Sequence, residues 1–239
     1  MYERRSADGR LTFADEVSYA VNSHVSLFYR PGDTAIYVNT ATAYGFSGRY
    51  VTGYHRIEFD AQSSTLGTPT EVAFPVPVEE GTDLHILSGS ARPYYAGYGF
   101  ILLNSSDPSA EVASDRILSG HTVASVAGSR DERFVYALER GNGQIHIYSV
   151  LPDGKLGPEI DVVNDGLWSL EWLRPALDDD FLIGAMPAEN RFVVYSRDKQ
   201  SGLLTLVGTS SGVEYPIWGM RNVSDLAVSS SKNCTTLLA

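Results

Sequence analysis

A chain of 239 residues with 18 Lys and Arg against 29 Asp and Glu carries a formal charge of −11. That balance argues against nucleic acid as a partner, because phosphate binding needs clustered cations and those present here are scattered. Hydrophobic residues make up 43% and aromatics 11%, a composition that supports a packed core and favours strands over helices. The single Cys234 excludes an internal disulfide and a cysteine-built metal cluster. No apolar run is long enough to span a membrane. The charged segment Met1 to Arg10 lacks the apolar stretch of a signal peptide.

Taken in chain order, one local pattern recurs: a strand ending near Tyr, a polar turn, then Gly and Leu opening a second strand. It starts at Tyr2 and reaches Gly9 and Leu11. A second rhythm follows, with Val25–Phe28, a turn at Pro31–Asp33, and Ala35–Val38. The hairpin pattern returns from Tyr54–Asp60 to Leu66-Gly67. Pro69 to Pro77 with Glu79-Glu80-Gly81 reads as a loop, and Tyr94 to Gly99 as a second, Gly- and Tyr-rich loop. A degenerate hairpin fits at Ile101 to Pro108, with Ala110 in the Leu position.

From there the pattern is regular. Val123–Val126, the turn Ser129–Arg133 and Phe134–Ala137 lead into Ile145–Tyr148, Asp153-Gly154 and Leu156. Ile145, Ile147 and Ser149 face one way while His146, Tyr148 and Val150 face the other, as period-2 alternation requires. The next unit is Leu170–Leu173, Asp178–Asp180, Phe181–Gly184, then Val193–Tyr195, Asp198, Gly202 and Leu204. The last is Leu226–Val228, Ser230–Lys232 and Thr235–Leu238. Asp-Gly and Asp-x-x-x-Gly supply the positive φ that tight turns demand.

The hairpin positions 11, 66, 110, 156 and 204 lie 55, 44, 46 and 48 residues apart. Four strands at a period of about 45 residues is the signature of a propeller blade. The expected fold is therefore all-β: one β-propeller domain over residues 1–239, of four-stranded antiparallel blades. It holds about five blades' worth of sequence, with a closing blade split between the two ends. The alternative is a fragment of a seven-bladed ring, which at this period needs roughly 330 residues.

The unit from Gly120-His121 through Phe134-Val-Tyr-Ala137, Ile145-His-Ile-Tyr148 and Asp153-Gly-Lys-Leu156 resembles the lactonase-type β-propellers, which include 6-phosphogluconolactonases and carboxymuconate cyclases. Phe192-Val-Val-Tyr195 with Gly202-Leu-Leu204 is similar to the same repeat. The family's Ser-Pro-Asp-Gly turn is replaced by Gly128-Ser-Arg-Asp131, by Leu177–Asp180 and by Ser229–Lys232. The resemblance implies a ligand site at one mouth of the ring, where the inner strands begin.

Residues near that phase are His24, His121 and Trp168. His121 suits a base near neutral pH, and Trp168 a stacking surface for a sugar or ring. Lactone hydrolysis needs a base and a donor for the developing oxyanion. Glu171 and Arg174, flanking Trp172, offer such a pair beside His121. Tyr94, Tyr95 and Tyr98 form a candidate contact surface. Asp178–Asp180 lacks the ligand spacing of a calcium loop and reads as a solvated turn. Neither a metal site nor a cofactor motif is expected.

Two functions remain in view. The preferred reading is a non-catalytic binding or assembly module with a small polar molecule or a protein as partner, given the degenerate turns and the short ring. The alternative is a lactonase- or cyclase-type enzyme acting on a small sugar lactone or carboxylated lactone. Sequons at Asn104, Asn222 and Asn233 lean towards a secretory route.

Overall fold

The computed structural model describes residues 2–4, 11–16, 25–29, 34–43, 49–60, 62–79, 83–86, 93–102, 117–152, 154–176, 179–210, 227–231 and 234–238. The first strands are β1 (Tyr2–Arg4), β2 (Leu11–Phe13), β3 (Val25–Tyr29), β4 (Ala35–Ala43), β5 (Arg49–Asp60), β6 (Thr65–Leu66) and β7 (Thr70–Glu79). Next come β8 (Asp83–Ile86), β9 (Pro93–Leu102), β10 (Ile117–Gly128), β11 (Phe134–Glu139), β12 (Ile145–Val150) and β13 (Leu156–Val163). The remainder are β14 (Trp172–Pro175), β15 (Phe181–Met186), β16 (Arg191–Arg197), β17 (Leu204–Thr209), β18 (Ala227–Ser231) and β19 (Cys234–Leu238). Among the described residues no helix is long and apolar enough to cross a membrane.

The fold is an all-β propeller of antiparallel blades. The best-formed blade runs β14-β15-β16-β17 from its inner to its outer strand. The blade before it is β10-β11-β12-β13, and its sheet continues past β10 into β9 and β8. Four of the five hairpin positions open or sit in strands as the repeat requires: Leu11 in β2, Leu66 in β6, Leu156 in β13 and Leu204 in β17. Ala110 lies outside the described residues. At the β16–β17 turn, Asp198 Oδ1 accepts the amides of Gln200 and Ser201 at 2.7 and 2.9 Å. Gly202 closes that turn at φ +78°, where a Cβ would lie 2.4 Å from the Phe134 ring.

Two segments expected to be loops are strands. Thr70–Glu79 forms β7 and pairs with β5. Its register jumps between Ala73 and Val78, so Pro75 and Pro77, which lack an amide to donate, fall in the irregular stretch. Tyr94 to Gly99 lies inside β9, which pairs with β8 and β10. Its Gly residues suggested a loop, whereas the pairing on both sides holds it extended. Among the described residues the terminal half-blades β1–β2 and β18–β19 are separate two-stranded sheets.

The core lies between the two best-formed blades. Phe134, Tyr136, Leu138, Ile145 and Ile147 of one form a single buried cluster with Leu173, Leu182, Met186, Val193 and Tyr195 of the next. Each fully buried large side chain of this kind stabilises by about 1.5–3 kcal/mol. One charged group closes the cluster at the lower end, where the turn 129–133 meets Asp179. Arg197 reaches Asp131 at 3.0 Å and Asp179 at 2.5 Å, and its Nε donates to Tyr136 Oη at 2.8 Å. Asp179, expected in a solvated turn, is thus buried, while its neighbour Asp180 is exposed and pairs with Lys199 at 2.5 Å.

Candidate functional site

The opposite, upper end of the blades is formed by the turns 140–144 and 187–190 and by the interblade segment 164–171. There the strand alternation that sends Leu138, Ile145 and Ile147 into the core sends Glu139 and His146 to the other face of the sheet. The result is a row of polar side chains across one blade. His121 Nδ1, on β10, lies 2.5 Å from Glu139 Oε1 on β11. His146 Nε2, on β12, lies 3.5 Å from Glu139 Oε2, and its Nδ1 is 2.7 Å from Glu159 Oε2 on β13. Tyr148 donates its hydroxyl to the same Glu159 oxygen at 3.0 Å.

Exposure grades along the row. The His121 and Glu159 side chains are 52% and 41% exposed, while Glu139 and His146 between them are 11% and 10%. Burial alone pushes the Glu139 carboxyl up, but bonds from Asn142 and His121, with His146 nearby, outweigh it and hold the group below its ordinary value. Burial, and then the Glu159 carboxylate, push the Tyr148 hydroxyl up, so it stays a donor. Among the described residues no three His, Cys, Asp or Glu side chains converge as a metal site.

Backbone irregularity places His121. The register of β10 shifts against β9 between Ile117 and Thr122, and against β11 between Val123 and Ser125. His121 sits within the first of these irregular stretches, the kind of feature that re-aims a side chain. Arg140 follows Glu139 into the turn, and its amide bonds the Thr122 carbonyl at 2.7 Å. That turn supports the next segment. Gly143 has φ +69°, and a Cβ there would lie 2.1 Å from the Leu167 carbonyl. The loop bearing Trp168, which is 72% exposed, therefore rests directly on the turn that follows Glu139.

The residues singled out from sequence are distributed unevenly. Tyr98 is paired through its backbone opposite Thr122, next to His121, with Tyr94 and Tyr95 further along β9 opposite His85 and Leu84. Glu171 is exposed at the entry to β14, its amide bonded to the Ala185 carbonyl at 3.0 Å. Arg174 turns towards the neighbouring inner strand, with Nη1 3.3 Å from Ser125 Oγ and 2.8 Å from the Leu173 carbonyl. Ser125 is four residues along β10 from His121, roughly 13 Å at ordinary strand rise. His24 and the sequons at Asn104, Asn222 and Asn233 lie outside the described residues. Glu139, His146 and Glu159 were not singled out, although each is an ionisable residue within an apolar repeat.

A family model described as "Lactonase, 7-bladed beta-propeller" matches residues 105–220. A 6-phosphogluconolactonase of Bacillus subtilis is 30% identical over 90 residues, which are 37% of this chain and 26% of that protein. The periplasmic gluconolactonase PpgL of Pseudomonas aeruginosa superposes with a TM-score of 0.63 at 15% identity, covering 99% of this chain and 70% of that one. A Bacteroides uniformis protein provisionally assigned as a 6-phosphogluconolactonase superposes at 0.60 with 16% identity, over 99% and 67% of the two chains.

Over residues 105–220 the chain matches the lactonase-type β-propellers.

The match spans only about a quarter of the curated relative's length. The relatives' names overturn the preference for a non-catalytic module and favour the lactonase alternative. The structure explains the misreading. Of the degenerate turns that suggested lost chemistry, the described residues Gly128–Asp131 and Asp179–Asp180 belong to the lower end. There Asp131 and Asp179 serve the Arg197 clasp between blades. They carry no information about the end where His121 stands.

Proposed function

We propose that this lactonase-type propeller hydrolyses a small sugar lactone, with His121 as general base oriented by Glu139. The observation that carries the proposal is the 2.5 Å contact between His121 Nδ1 and Glu139 Oε1 on a half-exposed ring. A carboxylate on Nδ1 fixes the tautomer and turns Nε2 into the atom that accepts a proton. Nε2 takes a proton from water as the hydroxyl oxygen attacks the lactone carbonyl. The tetrahedral intermediate then collapses, the ring C–O bond breaks, and the alkoxide leaving group recovers the proton from the imidazolium.

The surrounding groups fit a polar, ring-shaped substrate. Trp168 offers an exposed aromatic face beside the Glu139 turn, suited to the apolar face of a sugar ring. Arg140 adjoins the dyad and is the cation suited to the developing oxyanion. Glu171 stands at the same end of the next blade's inner strand as His121 does in its own, in position to accept bonds from substrate hydroxyls. Arg174, held on Ser125, lies farther along and suits a substrate's distal group.

Hydrolysis of glucono-δ-lactone, followed by acid release above the spontaneous rate, tests the assignment. His121→Ala should lower kcat/KM about 10²–10⁴-fold, the range of a lost acid–base group. A wild-type protein that leaves sugar lactones at the spontaneous rate would overturn it.

A further inference from the structure

We propose that His146 is a positioning residue for the base His121, acting through Glu139; the proposal rests on the lactonase reading. Each oxygen of the Glu139 carboxylate faces a different imidazole, His121 at 2.5 Å and His146 at 3.5 Å. With His146 Nδ1 held 2.7 Å from Glu159, Nε2 is the ring atom turned to Glu139. It is buried and makes no hydrogen bond, so at 3.5 Å the ring stands against Glu139 Oε2 as a wall. Tyr148 and Glu159 fix the plane of the His146 ring. The ring in turn blocks rotation of the Glu139 carboxylate away from His121.

A second observation is independent of those distances. The pairs Phe134↔Ser149 through Leu138↔Ile145 match Phe181↔Ser196 through Ala185↔Phe192 one for one, so the two blades share a register. By that register Glu139 corresponds to Met186 and His146 to Val193, and through Tyr148↔Glu159 and Tyr195↔Leu206 the residue Glu159 corresponds to Leu206. The fold therefore accepts Met, Val and Leu at all three places. Three ionisable residues in one row of one blade are not required for packing, and an ionisable side chain buried as His146 is costs stability unless it is paired.

The test reads the His121 ring directly, by long-range imidazole ¹⁵N–¹H spectra of the full chain, with His121→Asn for assignment. In the wild type His121 should hold its proton on Nδ1. In His146→Leu it should revert towards the tautomer mixture of an unrestrained imidazole. kcat on glucono-δ-lactone should then fall about tenfold with KM unchanged, and His146→Gln should restore most of it. If His146→Leu does not fold, Glu159→Gln at the exposed edge should shift the His121 tautomer in the same direction. An unchanged His121 tautomer in the folded variant overturns the proposal, whatever happens to kcat. A wild type inactive on lactones removes the lactonase reading and leaves the tautomer measurement to decide positioning by itself.

Discussion

The blades β10–β13 and β14–β17 share a strand order and a cross-strand register, yet they spend the same backbone positions differently. In the second blade, the face that presents Met186, Val193 and Tyr195 is packed against its neighbour, with Arg197 closing its lower end. In the first, the equivalent face presents Glu139, His146 and Tyr148, linked in one row from a half-exposed His121 to a half-exposed Glu159. A shared register fixes where side chains point and leaves open what they do. The polar row marks the blade on which chemistry is expected, and the buried clasp marks the joint that holds the blades together.

The largest effect should come from breaking the clasp. Arg197→Ala leaves Asp179 buried without its cation and should cost about 3–5 kcal/mol, as removal of one partner of a buried pair does. Urea unfolding measures this, and a loss below 1 kcal/mol would mean the dry cluster alone joins the blades. Next is conversion of the row to its sister's residues, Glu139→Met with His146→Val and Glu159→Leu. Stability should hold or rise, because hydrophobic replacement of buried charge is often neutral or favourable. Lactone turnover should fall about 100-fold as His121 loses its orienting carboxylate. Equal activity in the converted blade would show that the row is structural.

The sequence disclosed the fold through period. Hairpins at Leu11, Leu66, Leu156 and Leu204 are local, and local turn chemistry is readable without knowing the partners. The strands β7 and β9 were hidden because Pro and Gly are read as breakers, whereas pairing with β5 and β10 overrides that preference. The site was half legible. His121 could be placed by its phase in the repeat, and Trp168 by the loop before an inner strand. Glu139 could not, since its contact with His121 crosses 18 residues and depends on two register shifts in β10. The signal that was present, an ionisable residue where the sister blade carries Met186 or Val193, needs the two blades aligned strand by strand.

A smaller effect is expected at the rim. Trp168→Ala should raise KM for a sugar lactone about tenfold, with kcat nearly unchanged, since one aromatic contact is worth about 0.5–1.5 kcal/mol. Thermal stability should not move, because the ring is mostly exposed. A change confined to kcat would instead place Trp168 against the reacting atoms.

The smallest effect is the pH dependence of the clasp, and its two carboxylates should act in opposite senses. Burial pushes the Asp131 carboxyl up, but Ser129, Arg197 and the Arg133 amide more than reverse this and hold it below its ordinary value. At Asp179, burial outweighs the Arg130 amide and Arg197 and leaves the group raised. A depressed folded value gives stability that is present above the unfolded value of about 4 and is lost as pH falls through the folded one. A raised value does the reverse: the fold takes up the proton more readily than the unfolded chain, so acidification through that range adds stability. Asp131→Asn should therefore flatten the loss of stability between neutral pH and about pH 3, and Asp179→Asn should steepen it. Urea midpoints of the two variants across that range read the difference, and slopes that change in the same direction would show that the two acids do not divide Arg197 in this way.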